Sequence, residues 1–433
     1  MHPNLSFEQA PPISVPYRFF LTAPWFGVAA GLLLAWLGED AFASRWTPGI
    51  LAITHLLVAG FMLQAMCGAL LQFIPVAAGG NVWKPRLLAA CVHPLLILAA
   101  ALLVTAFLTT ESRLFLAASH LFALALGAYV LVVGTALVRT PGQGNTLWAL
   151  RFAVVGLAVT LILGVLLAQA LGGLHSLSLI EVTQVHAAWG LGGWALMLVF
   201  GVSYYVVPMF QLTPAYPAWL AKALPPAMLG VLSLWSFQLS GRVDGWQRGV
   251  FIAGLATAGV YAVATLYLQA KRRRKVSDPT LVLFRGAMFA LLAIFASGLL
   301  FVLIPSLGEE AMAPLWIGVL AIPGVFVSVI SGMLYKIVPF LNWLHLQQLA
   351  GLTQVPPNMR QMIPERAITG QMRLHFGAVA AMLLAVPVPS LSRAAGLLFA
   401  ASCAWLGWNL VTGVRAYLRF KGRILAADSG HES

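Results

Sequence analysis

Long apolar stretches dominate the chain and are separated by short polar connections. Twelve stretches reach about 20 residues, the length that an α-helix needs to cross roughly 30 Å of hydrocarbon. The connection from Asn342 to Gln371 contains three prolines and is predicted to be a loop at the membrane surface. The pattern predicts transmembrane helices at 17–38, 48–75, 87–110, 113–138, 149–172, 180–208, 223–240, 249–270, 281–304, 314–341, 372–390 and 394–418.

A short motif, in which proline follows glycine after six intervening residues (Gly-x6-Pro), closes three of the predicted helices. It occurs at Gly68–Pro75, Gly201–Pro208 and Gly332–Pro339, so the prolines recur at nearly equal intervals along the chain. These helices are the second, sixth and tenth, which implies a repeat unit of four helices. The sequence therefore predicts one all-α integral membrane domain, 1–433, with three pseudo-symmetric four-helix repeats at about 17–138, 149–270 and 281–418.

The composition supports insertion into a lipid bilayer. Apolar residues make up 61% of the chain and charged residues 9%, with a mean hydropathy of +0.90. That is too little charge to cover a soluble protein of this length. In a soluble chain the net charge of +13 would suggest a nucleic-acid partner. In a membrane protein it is better explained by basic cytoplasmic loops, so no nucleic-acid partner is expected.

The distribution of basic residues predicts the orientation in the membrane. With both termini on one side, that side holds 20 lysines and arginines and the opposite side holds 5. The positive-inside rule then places both termini in the cytoplasm of a bacterial inner membrane, without a cleavable signal peptide. The basic run 271–275 is most simply an anchor at the anionic leaflet.

Candidate chemistry depends on histidines inside the predicted helices. His55, His120 and His186 lie near the starts of even-numbered helices, which places all three in the outer third of the membrane; His93 and His375 fall in the inner third. An intramembrane histidine is unfavourable without a partner. One alone is most simply an imidazole bonded to a carbonyl or hydroxyl. Three at one depth favour metal or cofactor ligation, because imidazole binds haem iron, copper and zinc. No pair of carboxylates lies in the middle of the predicted membrane spans, which argues against a proton-coupled transporter.

Two further patterns leave the chemistry open. The glycines of the sixth helix permit close helix packing, or room for a flat ring; nearby aromatic residues can either line such a ring or simply pack. The cysteines lack C-x-x-C spacing, and neither a P-loop, H-E-x-x-H nor C-x-x-C-H occurs, so any haem would be held non-covalently. The residues concerned are Gly190, Gly192, Gly193 and Gly201, with Trp189, Trp194, Tyr204 and Tyr205.

The sixth helix resembles that of the catalytic subunit of haem–copper oxidases, most closely the cbb type. His186-Ala-Ala-Trp-Gly190 and Tyr204-Tyr-Val-Val-Pro208 are similar to the family's His-Asn-Ala-Val-Gly and Tyr-Tyr-Phe-Val-Pro. Thr213-Pro-Ala-Tyr216 follows where the family has Arg-Pro-Val-Tyr, and Gly332-Met-Leu-Tyr335 is similar to its helix ten. The resemblance implies a twelve-helix pseudo-threefold fold, with His55 at a low-spin haem ligand position and His186 at a copper ligand position.

The chain also departs from that family. Helix ten of the family carries His-x-His, whereas the corresponding stretch of this chain reads Gly318-Val-Leu-Ala-Ile-Pro323. No histidine occurs between His186 and His345. A complete oxygen-reducing centre is therefore not expected. The haem- and copper-containing NnrS family of the nitric oxide response is also similar, but its His-Ala-His-Glu motif is absent because His55 follows Thr54. The chain is identified as a divergent member of the superfamily.

These observations predict a membrane protein of respiration, electron transport or nitric oxide handling that binds haem, with or without copper. His55 and His186 are the expected ligands, and His120 is ranked third. A redox partner or quinone would supply electrons. Two other interpretations stay open: a cofactor-free transporter, sensor or assembly factor that retains the fold, and a quinone-binding electron carrier.

Overall fold

A computed structural model describes residues 10–142, 144–240, 245–273, 276, 278–308, 310–350 and 357–429. The protein is 87% helical, and the described residues contain no β-strand. The prediction of an all-α membrane protein is thus confirmed.

Twelve long helices follow one another in the described part of the chain. All but the eleventh are long and apolar enough to cross a membrane. They are α1 (Ser14–Leu37), α2 (Pro48–Ala78), α3 (Pro85–Thr109), α4 (Ser112–Arg139), α5 (Asn145–Leu171), α6 (Leu179–Gln211), α7 (Ala218–Ser236), α8 (Gln247–Ala270), α9 (Pro279–Leu303), α10 (Met312–Ala350), α11 (Glu365–Ala385) and α12 (Ser392–Ser429).

Helix α11 differs from the predicted eleventh span. The prediction was 372–390, whereas the helix begins at Glu365 and ends at Ala385. Its first half carries Arg366 and Arg373, and its buried side chains include Gln371 and His375. Because of these polar residues, α11 is not among the helices that are apolar enough to cross a membrane, although its 21 residues give it the length of a membrane span.

The predicted loop from Asn342 to Gln371 is wrong at both ends. Helix α10 continues to Ala350, because Asn342 is buried and its Nδ2 donates to the Gly413 carbonyl oxygen at 2.8 Å. The following α11 begins at Glu365. Only a short 3₁₀ turn at Met359–Gln361 occupies the described part of the connection, and residues 351–356 lie outside the described residues.

The three helices that carry the Gly-x6-Pro motif share a second feature, a widened π-helical segment. The segments are Leu56–Met62 in α2, Trp189–Leu196 in α6 and Leu320–Val327 in α10. All three begin at the same sequence distance before the motif proline of their helix. Each also holds a glycine at one shared position relative to that proline, namely Gly60, Gly193 and Gly324. π-Segments are rare and often occur at functional sites.

The same three helices form the inside of the bundle. The most apolar window is 67% buried in α2, 67% in α6 and 83% in α10, compared with at most 56% in the other helices that are apolar enough to cross a membrane. A cavity of about 70 Å³ lies where they meet, and its lining includes Met66, Ser203 and Met333, one from each helix. The lining is almost entirely apolar.

The first and last helices pack side by side through two glycines. A Cβ added to Gly31 of α1 would lie 2.6 Å from the Gly396 carbonyl oxygen, and a Cβ on Gly396 would lie 2.6 Å from the Gly31 carbonyl oxygen. Backbone atoms cannot move away as a flexible side chain can, so this close crossing requires glycine on both helices.

Candidate functional site

His55 lies in α2 directly before the π-segment Leu56–Met62. Its Nδ1 is 2.8 Å from the Leu51 carbonyl oxygen, one turn earlier. Because a carbonyl oxygen only accepts, Nδ1 carries the proton and Nε2 keeps a lone pair. The imidazole packs against the ring of Phe107 in α3, with 5.1 Å between the ring centroids.

His186 lies in α6, shortly before the π-segment that begins at Trp189. Its Nδ1 donates to the carbonyl oxygen of Thr160 in α5 at 3.1 Å, which fixes the imidazole to a neighbouring helix. One turn along α5, a Cβ added to Gly164 would lie 2.9 Å from Cε1 of the imidazole. The ring therefore lies against α5 at a position where a side chain would displace it, and its Nε2 also keeps a lone pair.

His55 and His186, on α2 and α6, lie within range of an electrostatic interaction with each other. Neither Nε2 has a hydrogen-bond partner within the described part of the chain. A histidine that binds a metal through Nε2 commonly donates its Nδ1 proton to a carbonyl or carboxylate, which orients the ring. Both imidazoles have this arrangement.

The third candidate, His120, is placed differently. It is exposed on the surface of the bundle, on α4, and its Nδ1 lies 2.7 Å from the Leu116 carbonyl oxygen. No described hydrogen bond or ring contact joins it to His55 or His186. In residues 10–142 and the other described ranges, no group of three or more His, Cys, Asp and Glu side chains is arranged to hold a metal ion. The site consists of two imidazoles.

His93 and His375 each have a hydroxyl partner. The His93 Nε2 is 2.9 Å from Thr22 Oγ1 of α1, and the His93 ring makes an edge contact with Phe19 at 5.0 Å between centroids. The His375 Nε2 is 2.8 Å from Ser328 Oγ of α10. These contacts are typical of a histidine that is hydrogen-bonded inside a helix bundle rather than bound to a metal.

The glycines of α6 serve close helix packing. A Cβ on Gly156 of α5 would lie 2.1 Å from the Gly193 carbonyl oxygen, and a Cβ on Gly201 would lie 3.0 Å from the Ala149 side chain. Near them, Trp189 donates through Nε1 to Ser236 of α7 at 2.8 Å. Of the two interpretations that the sequence left open, the contacts favour packing over a flat ring lying along α6.

Four residues of the site were not predicted from the sequence: Leu51, Phe107, Thr160 and Gly164. Thr160 and Gly164 are one turn apart and flank three large aliphatic residues in the run Thr-Leu-Ile-Leu-Gly. The two smaller residues lie on one face of α5, and this pattern could have indicated a close contact with a neighbouring group. Thr160 contributes its backbone carbonyl, which has no signature in the sequence. Phe107 is one apolar residue among many in α3.

Comparison with known proteins gives no relative from which a function can be transferred. No protein-family model matches the chain, and no curated protein matches it. The functional assignment therefore depends on the residues and contacts described above.

Proposed function

We propose that the protein binds haem in the membrane, that it is a divergent relative of haem–copper oxidase subunit I, and that His55 and His186 are its ligands. The supporting observation is the pair of half-buried imidazoles, each with Nδ1 bound to a carbonyl oxygen and Nε2 without a hydrogen-bond partner. A polar atom without a partner is unfavourable in a membrane interior. Haem iron and copper ions are partners that an imidazole nitrogen binds well.

The available ligands limit which cofactor fits. Two imidazoles suit one haem iron or one copper ion, whereas a complete oxygen-reducing centre needs further histidines. When bound, such a group would supply one-electron redox chemistry. The proposed role is therefore in respiration or nitric oxide handling without oxygen reduction, with electrons from a redox partner or quinone. The chain's own contribution is to fix the two rings through Leu51 and Thr160.

The proposal includes twelve membrane spans in three four-helix repeats, with both termini in the cytoplasm. The one helix of the twelve that is less apolar is α11, and its 21 residues are long enough to cross the hydrocarbon. The excess of 20 basic residues over 5 supports the orientation. The π-segments at one distance from each motif proline support the repeat.

A second candidate is a cofactor-free membrane protein that retains the fold. One observation favours it: His120 and His345, like His55, bond through Nδ1 to the carbonyl oxygen four residues earlier. Such a local bond forms on any helix without a cofactor. The bond from His186 to Thr160 is different because it joins two helices.

The two candidates are separated by measuring haem and copper in protein purified from cells supplied with both. Haem binding predicts a Soret band in the wild type that is lost or shifted in His55→Ala and in His186→Ala. His93→Ala is the matched control, since it also removes a helix-embedded imidazole, and its spectrum should match the wild type. A wild type with neither haem nor copper would support the cofactor-free candidate, and unchanged cofactor contents in both ligand variants would reject this pair.

A further inference from the structure

Two arginines of α11 line an open groove on the outside of the helix bundle. The groove has a volume of about 540 Å³, which is within the usual range of ligand pockets, and it follows the first turns of the helix. Four of its five lining residues are spaced three or four apart, so they lie on one face of α11. The lining residues are Glu365, Arg366, Thr369, Gly370 and Arg373.

Arg373 lies at the depth of the membrane interior. It comes between Gln371 and His375, which are buried on the opposite face of α11. Gln371 Nε2 donates to Ser402 Oγ of α12 at 3.1 Å, and His375 Nε2 is 2.8 Å from Ser328 Oγ, near the middle of α10. Arg373 is thus held about 12 Å along a helix that is about 30 Å long, and its exposed side chain faces lipid.

Neither guanidinium of the groove is paired. Within the described part of the chain, Arg366 and Arg373 form no ion pair and no hydrogen bond, and the nearby Glu365 forms no ion pair with either. The groove therefore keeps a net positive charge. A charged side chain at membrane depth is unfavourable without a partner of opposite charge. Side chains on an α-helix tilt towards its first residue, so an anion near Arg366 is also within the direction of Arg373.

Two tryptophans of α12 border the groove with flat apolar surface. A Cβ added to Gly370 would lie 2.5 Å from Cη2 of Trp405, so the indole lies directly against α11 and requires glycine there. Trp408 is exposed, and the guanidinium carbon of Arg415 is 5.3 Å from its ring centroid. Tryptophan is enriched where hydrocarbon meets the lipid headgroups. The groove therefore offers positive charge beside a surface suited to acyl chains.

We propose that this groove binds one anionic phospholipid, with the phosphate between Arg366 and Arg373 and an acyl chain against Trp405. A guanidinium can donate two parallel hydrogen bonds to a phosphate. The two arginines are seven residues apart, which is about 10 Å along the helix axis, so a phosphate between them accepts from both. A soluble anion would have to enter the hydrocarbon to reach Arg373, whereas a phospholipid already carries its phosphate at the edge of the hydrocarbon.

The bound lipid accounts for the membrane position of α11. This helix is not among those that are apolar enough to cross a membrane, and its arginines are part of the reason. A phosphate that pairs with both guanidinium groups removes the penalty for their charge at this depth. In the proposed orientation the groove opens to the cytoplasmic leaflet, where anionic lipids are concentrated. The site is independent of haem or copper at His55 and His186.

Native mass spectrometry of the purified full chain tests the proposal. The protein is released from detergent that contains either phosphatidylglycerol or phosphatidylcholine. We expect one phosphatidylglycerol to stay bound and phosphatidylcholine, which has no net charge, to bind at least about tenfold more weakly. Equal retention of the two lipids would overturn the proposal. Displacement of phosphatidylglycerol by an equal concentration of inorganic phosphate would also overturn it, because the site would then bind a soluble anion.

Substitution of Arg373 locates the lipid. Arg373→Gln should weaken phosphatidylglycerol binding about tenfold, because a charge-assisted hydrogen bond to phosphate is lost. Arg373→Lys keeps the charge without the planar fork and should bind with intermediate affinity. Arg139→Gln is the matched control, since it removes an exposed arginine in the last turn of α4, and it should bind as the wild type does. Wild-type binding by Arg373→Gln would show that the lipid lies elsewhere.

Thermal unfolding separates lipid binding from folding. In lipid-free detergent Arg373 has no anionic partner, so Arg373→Gln should unfold at the wild-type temperature or above it. A ligand that binds the folded state stabilises it, so phosphatidylglycerol should raise the melting temperature of the wild type by several degrees and that of Arg373→Gln by much less. Equal stabilisation of both proteins by phosphatidylglycerol would contradict the proposed site.

Discussion

Helices α6 and α10 have the same backbone features and different chemistry. Both carry the Gly-x6-Pro motif and a π-segment that begins at the same sequence distance before the motif proline. In α6, His186 precedes the π-segment and is bonded to the neighbouring α5. In α10, every residue of the π-segment is buried and apolar, and polar side chains begin only at Ser328. The repeated motif thus predicts the backbone of a helix but not whether that helix carries a ligand.

The two helices also differ in how tightly their π-segment glycines are packed. A Cβ on Gly193 of α6 would lie 2.8 Å from the Trp189 ring and 3.3 Å from Gly156 Cα. A Cβ on Gly324 of α10 would lie no closer than 3.3 Å to any neighbour. The contact between α5 and α6, which holds His186, therefore tolerates less change than the corresponding part of α10.

Substitution at the α5–α6 crossing should have the largest effect. In Gly156→Ala the new methyl group would lie 2.1 Å from the Gly193 carbonyl oxygen, so the two helices must separate. We expect a loss of about 3 kcal/mol or more of stability, because overpacking against backbone cannot be relieved by a side-chain rotation. Thermal unfolding in detergent measures it.

Gly127→Ala in α4 is the matched control, since nothing lies within 4 Å of the added Cβ and alanine favours a helix over glycine by about 1 kcal/mol. Gly324→Ala should fall between the two. If Gly324→Ala were as destabilising as Gly156→Ala, the difference in packing between α6 and α10 would not hold.

A smaller and more specific effect is expected from Gly164→Ala. Its methyl group would lie 2.9 Å from His186 Cε1 and would push the ring away from α5, lengthening the Nδ1 bond to Thr160. The cofactor should bind about tenfold more weakly, which corresponds to about 1.4 kcal/mol, while the fold persists. Haem titration followed at the Soret band measures this. Binding equal to that of Gly127→Ala would mean that Gly164 does not position the imidazole.

The fold was largely predictable because each helix is encoded locally. Apolar length and the Gly-x6-Pro motif indicated the order and approximate limits of the long helices. The end of α10 was missed because asparagine is typical of loops. The partners that pair with the Asn342 side chain inside the helix, Tyr17 and Gly413, lie in distant parts of the chain. The limits of α11 were missed because its buried polar side chains reduce the hydropathy on which the prediction depended.

The candidate site was only partly predictable. His55 and His186 were selected by residue type and position; in the structure they lie within range of an electrostatic interaction, whereas His120 is exposed on the bundle surface. The atoms that orient them are the carbonyl oxygens of Leu51 and Thr160. Every residue has a carbonyl, so no sequence pattern identifies which one accepts a bond. The contacts of Gln371 and His375 were not predictable for the same reason, since their neighbours lie on other helices.

The smallest expected effect concerns the ion pair between α9 and α10. Lys336 Nζ lies 3.2 Å from Asp278 Oδ2, and both side chains are nearly a third exposed. Burial raises the pKa of the Asp278 carboxyl, but Lys336 and hydrogen bonds from Thr280 and Leu281 outweigh burial and hold it below its usual value. A lowered pKa contributes stability above the unfolded value of about 3.9, and that stability is lost as the pH falls through the folded value.

Asp278→Asn should therefore cost at most about 1 kcal/mol at neutral pH, because partly exposed ion pairs are screened by solvent. The melting temperatures of variant and wild type should converge as the pH falls below about 4. Arg113→Gln, which removes an exposed charge in α4, is the control for a general charge effect. A stability difference that does not depend on pH would show that the ion pair is not its cause.

The most direct measurement of the central claim is imidazole rescue of the ligand variants. His55→Gly and His186→Gly each remove one ring and leave space that free imidazole can fill. If these residues bind haem iron, the Soret band of each variant should be weakened or shifted, and added imidazole should restore the wild-type spectrum. His93→Gly should show the wild-type spectrum with and without imidazole. Ligand variants whose spectra match the wild type, or do not respond to imidazole, would contradict ligation by His55 and His186.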